Sequence, residues 1–537
     1  RILFLLIFFS NYLPELLKPG RTFTFSTIVR IVIFIYSYAV FRSNFLHPGD
    51  ENAVSGFFYG NSQIVISVIL MGISGIYRLL PGIRSVKVPP AMIFTLSYVL
   101  MILVGSGLLM LPNSHNGSLS YLDSLFTSVS AVCVTGLVSV DTATTYTELG
   151  RIILLCLIQA GGLGIMTFTG FFSYIFTSRS SFSDRLLMKE LFSAESMSNL
   201  FKIMAKIITF TFLIEIAGAL LVYSSLDNDF TNRFFFSVFH SVSAFCNAGF
   251  STLGDNLFAT EIRNNSSLQI WVAILIILGG LGFPVLMNLY SNFKYRLLFI
   301  WSKLKGKRIP VRAVHKNVAT RIVLMMTAIL IAAGALVYYF LEMHYSSVKA
   351  DMPEKIITSL FASISSRTAG FNITDISFWG YPTVFLMIVL MWIGASPGSA
   401  GGGIKTTTFA IAARSAWNNI RGTEHLKIGN REIGHATIKR VLSIIFLSLV
   451  VIGTGFFVLL LSEPGKDPVY LLFECVSAYS TVGLSMADTS MLSDTGKIVD
   501  IVLMFAGRVG PLTLFIGLFQ TYRKSYSTCP EIDIVIN

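Results

Sequence analysis

Val134-Thr135-Gly136-Leu137, Asn247-Ala248-Gly249-Phe250, Thr368-Ala369-Gly370-Phe371 and Thr481-Val482-Gly483-Leu484 are four copies of one short pattern, a glycine followed by an apolar residue. The glycines lie 113, 121 and 113 residues apart. Each follows a segment carrying a Phe and several serines and precedes an Asp within six residues. Spacing this even over most of a chain marks an internal repeat. Four like units in one chain point to a closed arrangement around a central pore.

Composition sets the solvent in which those units fold. Of 537 residues, 53% are hydrophobic and 13% charged, with 45 Phe and a mean hydropathy of +0.71. That is too apolar for a soluble domain of this size. Hydrocarbon offers no water to unpaired backbone groups, so apolar runs of about 20 residues form helices. Three runs, at 2–17, 25–42 and 63–80, precede the repeats, and eight more lie at 90–111, 150–176, 202–224, 268–290, 322–341, 380–411, 441–461 and 498–521. The expected fold is an all-α polytopic membrane protein with four helix, pore-helix, helix repeats over 85–180, 181–295, 296–415 and 416–525. Extra N-terminal transmembrane helices occupy 1–84 and a tail 526–537. No early run carries the small-residue cleavage site of a signal peptide.

The net charge of +12 would suit nucleic acid if the basic residues were clustered on one soluble surface. They fall instead in loops between spans. Lys294, Arg296, Lys303, Lys305, Lys307, Arg308, Arg312, Lys316 and Arg321 form one such loop, and Arg414, Arg421, Lys427, Arg431, Lys439 and Arg440 another. Arg179, Arg185 and Lys189, and Arg523 with Lys524, are smaller groups. Basic loops face the cytoplasm, so the glycine segments enter from outside. The charge is thus explained by topology and anionic lipid, and no nucleic-acid partner is expected.

Between the two spans of each repeat runs a segment too short to cross and too apolar for a free loop: 119–135, 234–248, 355–369 and 468–482. Aligned on the glycines, Phe126, Phe239 and Phe473 fall ten residues before, and Ser130, Ser243 and Ser477 six before; the third copy, with Phe361 and Ser365, is one residue shorter. Such a segment enters as a half-helix and leaves as extended backbone, which is tolerated at membrane depth only when buried in protein or lining water. Its free carbonyls then face a cation. Glycine suits the turning point because it adopts backbone angles closed to other residues. The candidate ion-binding segments are therefore Cys133, Val134, Thr135 and Gly136; Cys246, Asn247, Ala248 and Gly249; Arg367, Thr368, Ala369 and Gly370; and Ser480, Thr481, Val482 and Gly483. Rings of carbonyl oxygen can replace the hydration shell of a monovalent cation. This reasoning by itself does not choose potassium over sodium.

These four segments, with their flanks, make the chain resemble the bacterial Trk/Ktr potassium-uptake subunits of TrkH and KtrB type over about residues 85–525. The resemblance implies potassium as the transported ion at the filter residues named above and no cofactor in this chain. In related plant and fungal proteins a serine at the first filter glycine goes with sodium transport, so Gly136 resembles the potassium-selective pattern. It also implies a homodimer in the bacterial cytoplasmic (inner) membrane, regulated by a cytosolic ring of TrkA or KtrA type that carries the nucleotide. The loops at 294–321 and 414–440 are the expected docking surface for that ring.

A second repeated feature follows each glycine segment: Gly161-Gly162-Leu163-Gly164, Gly279-Gly280-Leu281-Gly282, Gly394-Ala395-Ser396-Pro397-Gly398 and Gly507-Arg508-Val509-Gly510. Interrupted helices at equivalent positions point to a transport pathway. In the third copy, Gly398, Ser399, Ala400, Gly401, Gly402 and Gly403 follow Pro397 and cannot hold a regular helix cheaply, so a break with a flexible loop beneath the filter is expected. This resembles the intramembrane gate of the family. Arg508 stands where the other copies have small residues, and a positive charge on the axis opposes cations. In the family the corresponding arginine works with the loop as a barrier; pairing with Glu215 or Glu474 is the structural alternative. Lys405 either anchors the loop or ends at the cytoplasmic interface, and the interface is the simpler expectation.

Asp141, Asp255, Asp375 and Asp488 follow the filter glycines and are expected to cap the second helices; as a ring they would also concentrate cations. The seven His residues show no metal-ligand spacing, no phosphate-binding loop is present, and an enzyme is not expected. The odd set Cys133, Cys156, Cys246, Cys475 and Cys529 reads as free thiols.

Overall fold

Four short helices of 13 or 14 residues, one in each repeat, lie in sequence between the first and second helices of that repeat. The computed structural model describes residues 90–164, 200–228, 230–305, 318–342, 351–422, 427–428 and 431–510. The chain divides into two compact units, Arg1–Val88 and Pro89–Asn537. The three N-terminal spans, the basic residues at 179–189, 307–316 and 523–524, Cys529 and the C-terminal tail lie outside the described residues.

The first repeat comprises α1 (Pro90–Leu109), α2 (Tyr121–Cys133) and α3 (Glu148–Gly162). The second has α4 (Leu200–Ser225), α5 (Arg233–Phe245), α6 (Ser266–Leu281) and α7 (Phe283–Leu304). The third has α8 (Val318–Glu342), α9 (Met352–Ser365), α10 (Tyr381–Trp392) and α11 (Thr406–Ile420). The fourth has α12 (His435–Ser462), α13 (Pro468–Ser480) and α14 (Asp494–Val509). A two-residue antiparallel pair, Lys427–Ile428 with Arg431–Glu432, joins the last two repeats. The protein is an all-helical, polytopic membrane protein. Ala205–Ser225, Val318–Glu342 and Ala436–Ser462 are each long and apolar enough to cross a bilayer.

Local chemistry explains where the helices start. Ser120, Thr147, Asn265 and Ser493 accept the backbone N–H three residues on, at 3.0, 3.3, 3.0 and 3.1 Å, beginning α2, α3, α6 and α14. Pro468 opens α13, where its missing N–H costs nothing.

Two of the apolar runs are not single straight spans. The run at 268–290 bends by 104° between α6 and α7. Gly282 makes the corner at φ +85°, and a side chain there would come within 2.6 Å of the Pro397 carbonyl. The run at 380–411 stops at Trp392 and restarts at Thr406, as the glycine content predicts.

Close approach of the first and second helix recurs in all four repeats. A Cβ on Gly105, Gly218, Gly334 or Gly455 would lie 2.7–2.9 Å from Leu157, Leu275, Leu390 or Leu503 respectively. The pore helices dock on the same stretch. Ser128, Ser241 and Ser363 donate to the carbonyls of Ile102, Glu215 and Ile331 at 2.7, 2.7 and 3.0 Å, so a polar helix face is satisfied inside the apolar bundle. Lys497 on α14 meets Asp123 on α2 at 2.8 Å and links the fourth repeat to the first.

Candidate ion pathway

Each pore helix runs into a tight turn. Val134, Asn247, Thr368 and Thr481 stand at φ +57°, +58°, +73° and +51°, and two residues later Gly136, Gly249, Gly370 and Gly483 stand at +95°, +69°, +73° and +94°. A left-handed residue with a side chain costs about 1–2 kcal/mol. The same strain at four equivalent places is held by the same bonds. Thr135, Ala248 and Val482 donate their N–H to the carbonyls of Ser130, Ser243 and Ser477 at 2.8, 2.7 and 2.9 Å. In the third copy Ala369 donates to Ser365 at 3.0 Å, and the missing residue is absorbed in this bond. The serine hydroxyls complete the turn: those of Ser130 and Ser477 accept from Gly136 and Gly483 at 3.1 Å, while those of Ser243 and Ser365 donate to the carbonyls of Phe250 and Phe371.

The four turns meet in a closed ring. A Cβ built on Gly136 would lie 2.5 Å from the Ala248 carbonyl oxygen and 3.1 Å from Gly249 Cα; one on Gly249, 2.8 Å from that of Ala369 and 3.0 Å from Gly370 Cα. One on Gly370 would strike the Val482 carbonyl, and one on Gly483 the Thr135 carbonyl, 3.0 Å from Gly136 Cα. Every filter glycine therefore leaves room for the carbonyl of the next repeat, and the fourth returns to the first.

The side chains of these segments have distinct roles. Arg367 turns away to the Thr327 carbonyl at 3.4 Å. Asn247 is placed to donate to the Ile276 carbonyl at 3.1 Å with its amide in that orientation. Cys133 and Cys246 are buried thiols, the latter 3.7 Å from Gln159 Oε1 and 3.8 Å from Glu215 Oε1. The hydroxyls of Thr135, Thr368, Ser480 and Thr481 are buried without a hydrogen-bond partner among the described residues. Unpaired buried hydroxyls are costly in a dry core.

The four glycine motifs of the second helices end those helices. Gly164, Gly282 and Gly510 follow the last helical turns at φ +81°, +85° and +84°. Just before them, Gly161, Gly279 and Gly507 sit where a Cβ would strike the carbonyls of Val132, Phe245 and Tyr479 at the ends of the pore helices.

In the third repeat the chain from Ile393 to Lys405 folds back against the glycine turns, and it is pinned rather than loose. Phe283 N–H donates to Gly398 O at 3.0 Å, Ser396 N–H to Gly280 O at 3.1 Å, and Ala395 N–H to Gly402 O at 3.3 Å. Ser399 donates to the Ser396 carbonyl at 2.6 Å. Gly401 and Gly402 press against the hydroxyls of Thr368 and Thr481, and Gly403 turns at φ +66° against Gly394. Arg508 donates to the carbonyls of Ala400 and, at 2.5 Å, Gly161. Glu215 and Glu474, the alternative partners, bond instead to Gln159 and Thr489. Lys405 does not simply reach the interface: its amine donates to Gly401 O at 2.6 Å.

The outer aspartates cap different helices from those expected. Asp141 accepts from Ala143 N–H at 3.0 Å and Asp375 from Ser377 N–H at 3.0 Å, each starting a single turn that precedes the second helix. Asp488 accepts from Ser490 at 2.7 Å, and Asp255 makes no side-chain cap bond. Thr147, Asn265 and Ser493 cap the second helices themselves.

Two residues that sequence reasoning passed over sit beside the second filter segment. His240 is fully buried, with Nδ1 2.9 Å from Phe236 O and Nε2 3.0 Å from Ser251 Oγ. A carbonyl only accepts, so Nδ1 carries the proton and the Ser251 hydroxyl donates to Nε2. The Asn256 amide nitrogen lies 3.1 Å from Gly249 O and 3.4 Å from Gly370 O. Nothing in the glycine alignment marks either residue, because the other repeats lack them.

Four pore-loop repeats closed in a ring, with a folded-back loop and an arginine beneath, define a class of polytopic membrane protein. The chain belongs to the TrkH family of cation transport proteins, whose family model matches residues 90–521. It is 36% identical over 427 residues to Ktr system potassium uptake protein B of Vibrio alginolyticus, covering 79% of this chain and 90% of that protein. It is 34% identical to the potassium/sodium uptake protein NtpJ of Enterococcus hirae, covering 84% of this chain and 98% of that protein. Among solved structures, the potassium transporter TrkH of Vibrio parahaemolyticus superposes with a TM-score of 0.68 over 93% of this chain and 99% of that one, at 18% identity.

Proposed function

We propose that this chain takes up potassium across the bacterial cytoplasmic membrane through a filter made by the carbonyls around Gly136, Gly249, Gly370 and Gly483. The observation that carries this reading is the closed ring, in which each glycine accommodates the carbonyl preceding the next glycine. A bare monovalent cation fits such a ring and a larger solute does not. Transport without a chemical step is the activity.

The gate is the segment Gly398, Ser399, Ala400, Gly401, Gly402 and Gly403 with Lys405 and Arg508. Opening requires the Arg508 bonds to Ala400 and Gly161 to be exchanged for others. The signal comes from a partner, a cytosolic nucleotide-binding ring of TrkA or KtrA type, acting on a homodimer through the basic segments 294–321 and 414–440, which include parts of α7, α8, α11 and α12 rather than loops alone. The relatives called Ktr system proteins support a multi-component assembly. The name of NtpJ favours a second reading in which sodium shares the path.

The test is rubidium uptake by potassium-uptake-deficient bacterial cells expressing the chain. Uptake competed by potassium far better than by sodium supports the proposal; equal competition favours the sodium reading, and no uptake with the chain in the membrane contradicts both.

A further inference from the structure

We propose that Asn256 sets cation discrimination at the outer end of the filter by tying together the glycine carbonyls of the second and third repeats. This rests on the filter reading above. The Asn256 amide offers two N–H groups, and the two acceptors nearest them are Gly249 O at 3.1 Å and Gly370 O at 3.4 Å. Its own oxygen accepts the N–H of Leu257 at 2.9 Å, which fixes the amide so that its nitrogen faces the ring. The backbone is suited to the task, because Asn256 stands at φ +55° and asparagine tolerates that region. The turn around it is closed by Asn256 N–H to Leu253 O at 3.3 Å and by Phe258 N–H to Asp255 O at 3.1 Å.

The equivalent position seven residues after the filter glycine is Ala143, Ser377 or Ser490 in the other repeats. None of these can span two carbonyls. Among the described residues the ring is therefore held from outside by such an amide at one boundary. A carbonyl has two lone pairs, so one N–H leaves the oxygen able to face a cation while restraining its movement. Free to move inward, the two carbonyls would close on a smaller ion. Restrained, they stay apart at the spacing a larger one prefers.

Two substitutions keep the left-handed turn and remove the donors: Asn256→Asp and Asn256→Gly. In liposomes carrying the purified full chain, the ratio of the sodium KM to the potassium KM is expected to fall by roughly fivefold in both, the factor that about 1 kcal/mol of lost discrimination sets. A role limited to stability would lower yield or melting temperature and leave that ratio alone. If Asn256→Gly does not fold, the near-isosteric Asn256→Asp supplies the reading. Gly136→Ser is measured beside them. A changed ratio in Gly136→Ser with wild-type ratios in the Asn256 variants overturns this inference and leaves the filter intact; unchanged ratios in all of them overturn the filter reading and this inference with it.

Discussion

Arg508 of the fourth repeat donates to the carbonyl of Ala400 in the third. A second nitrogen of the same guanidinium donates to Gly161 of the first, so one side chain ties three repeats together under the glycine ring. Replacing Arg508 with Ala removes the charge and frees the loop. Flux in liposomes should rise, about tenfold for each 1.4 kcal/mol of barrier removed. Lower flux from folded protein would mean that the arginine is structural.

Gly136 stands at φ +95° with the Ala248 carbonyl in the space a side chain would need. Gly136→Ser should therefore shift the neighbouring strand and weaken discrimination between potassium and sodium. Competition of sodium against rubidium flux measures this. An unchanged preference would remove the first copy from the filter.

Gly402 lies against Thr481 Oγ1 and would place a Cβ 2.9 Å from Ser480 O. Gly402→Ala cannot be accommodated without moving the loop down from the filter. Basal flux should rise while the preferred cation stays the same. Reduced flux at normal yield would argue that the loop supports the pathway rather than blocking it.

The ring closes physically at Lys497 and Asp123, whose side chains are 12% and 15% exposed. Lys497→Met should lower the melting temperature in detergent, by an amount reflecting about 1 kcal/mol or less. The double variant Lys497→Met with Asp123→Asn should recover part of that loss, since it no longer leaves a carboxylate without its ammonium partner. No recovery would place the cost in packing of the lysine stem.

Much of this architecture could be read before any coordinates. The four glycines and their serines fix the pore-helix positions to within a few residues, because the turn needs those residue types at those spacings. The break after Trp392 follows from Pro397 and the glycine run. Other features stayed hidden for physical reasons. Gly105, Gly218, Gly334 and Gly455 make the same contact in every repeat, yet they stand 31, 31, 36 and 28 residues before the filter glycines, so an alignment on those glycines matches only the first two. The motif ending at Gly282 marks an interruption, but the run is apolar on both sides and gives no sign of the 104° bend. Asp141 and Asp375 cap single turns too short to leave a periodic signal. His240 and Asn256 bond to carbonyls and hydroxyls brought close only by folding, and a backbone carbonyl leaves no trace in sequence.

The most direct measurement is the flux of potassium, rubidium and sodium through the purified chain in sealed liposomes under equal gradients. Potassium and rubidium passing at similar rates and well ahead of sodium is the expected result. Sodium passing as fast as potassium would contradict a selective carbonyl filter at Gly136, Gly249, Gly370 and Gly483.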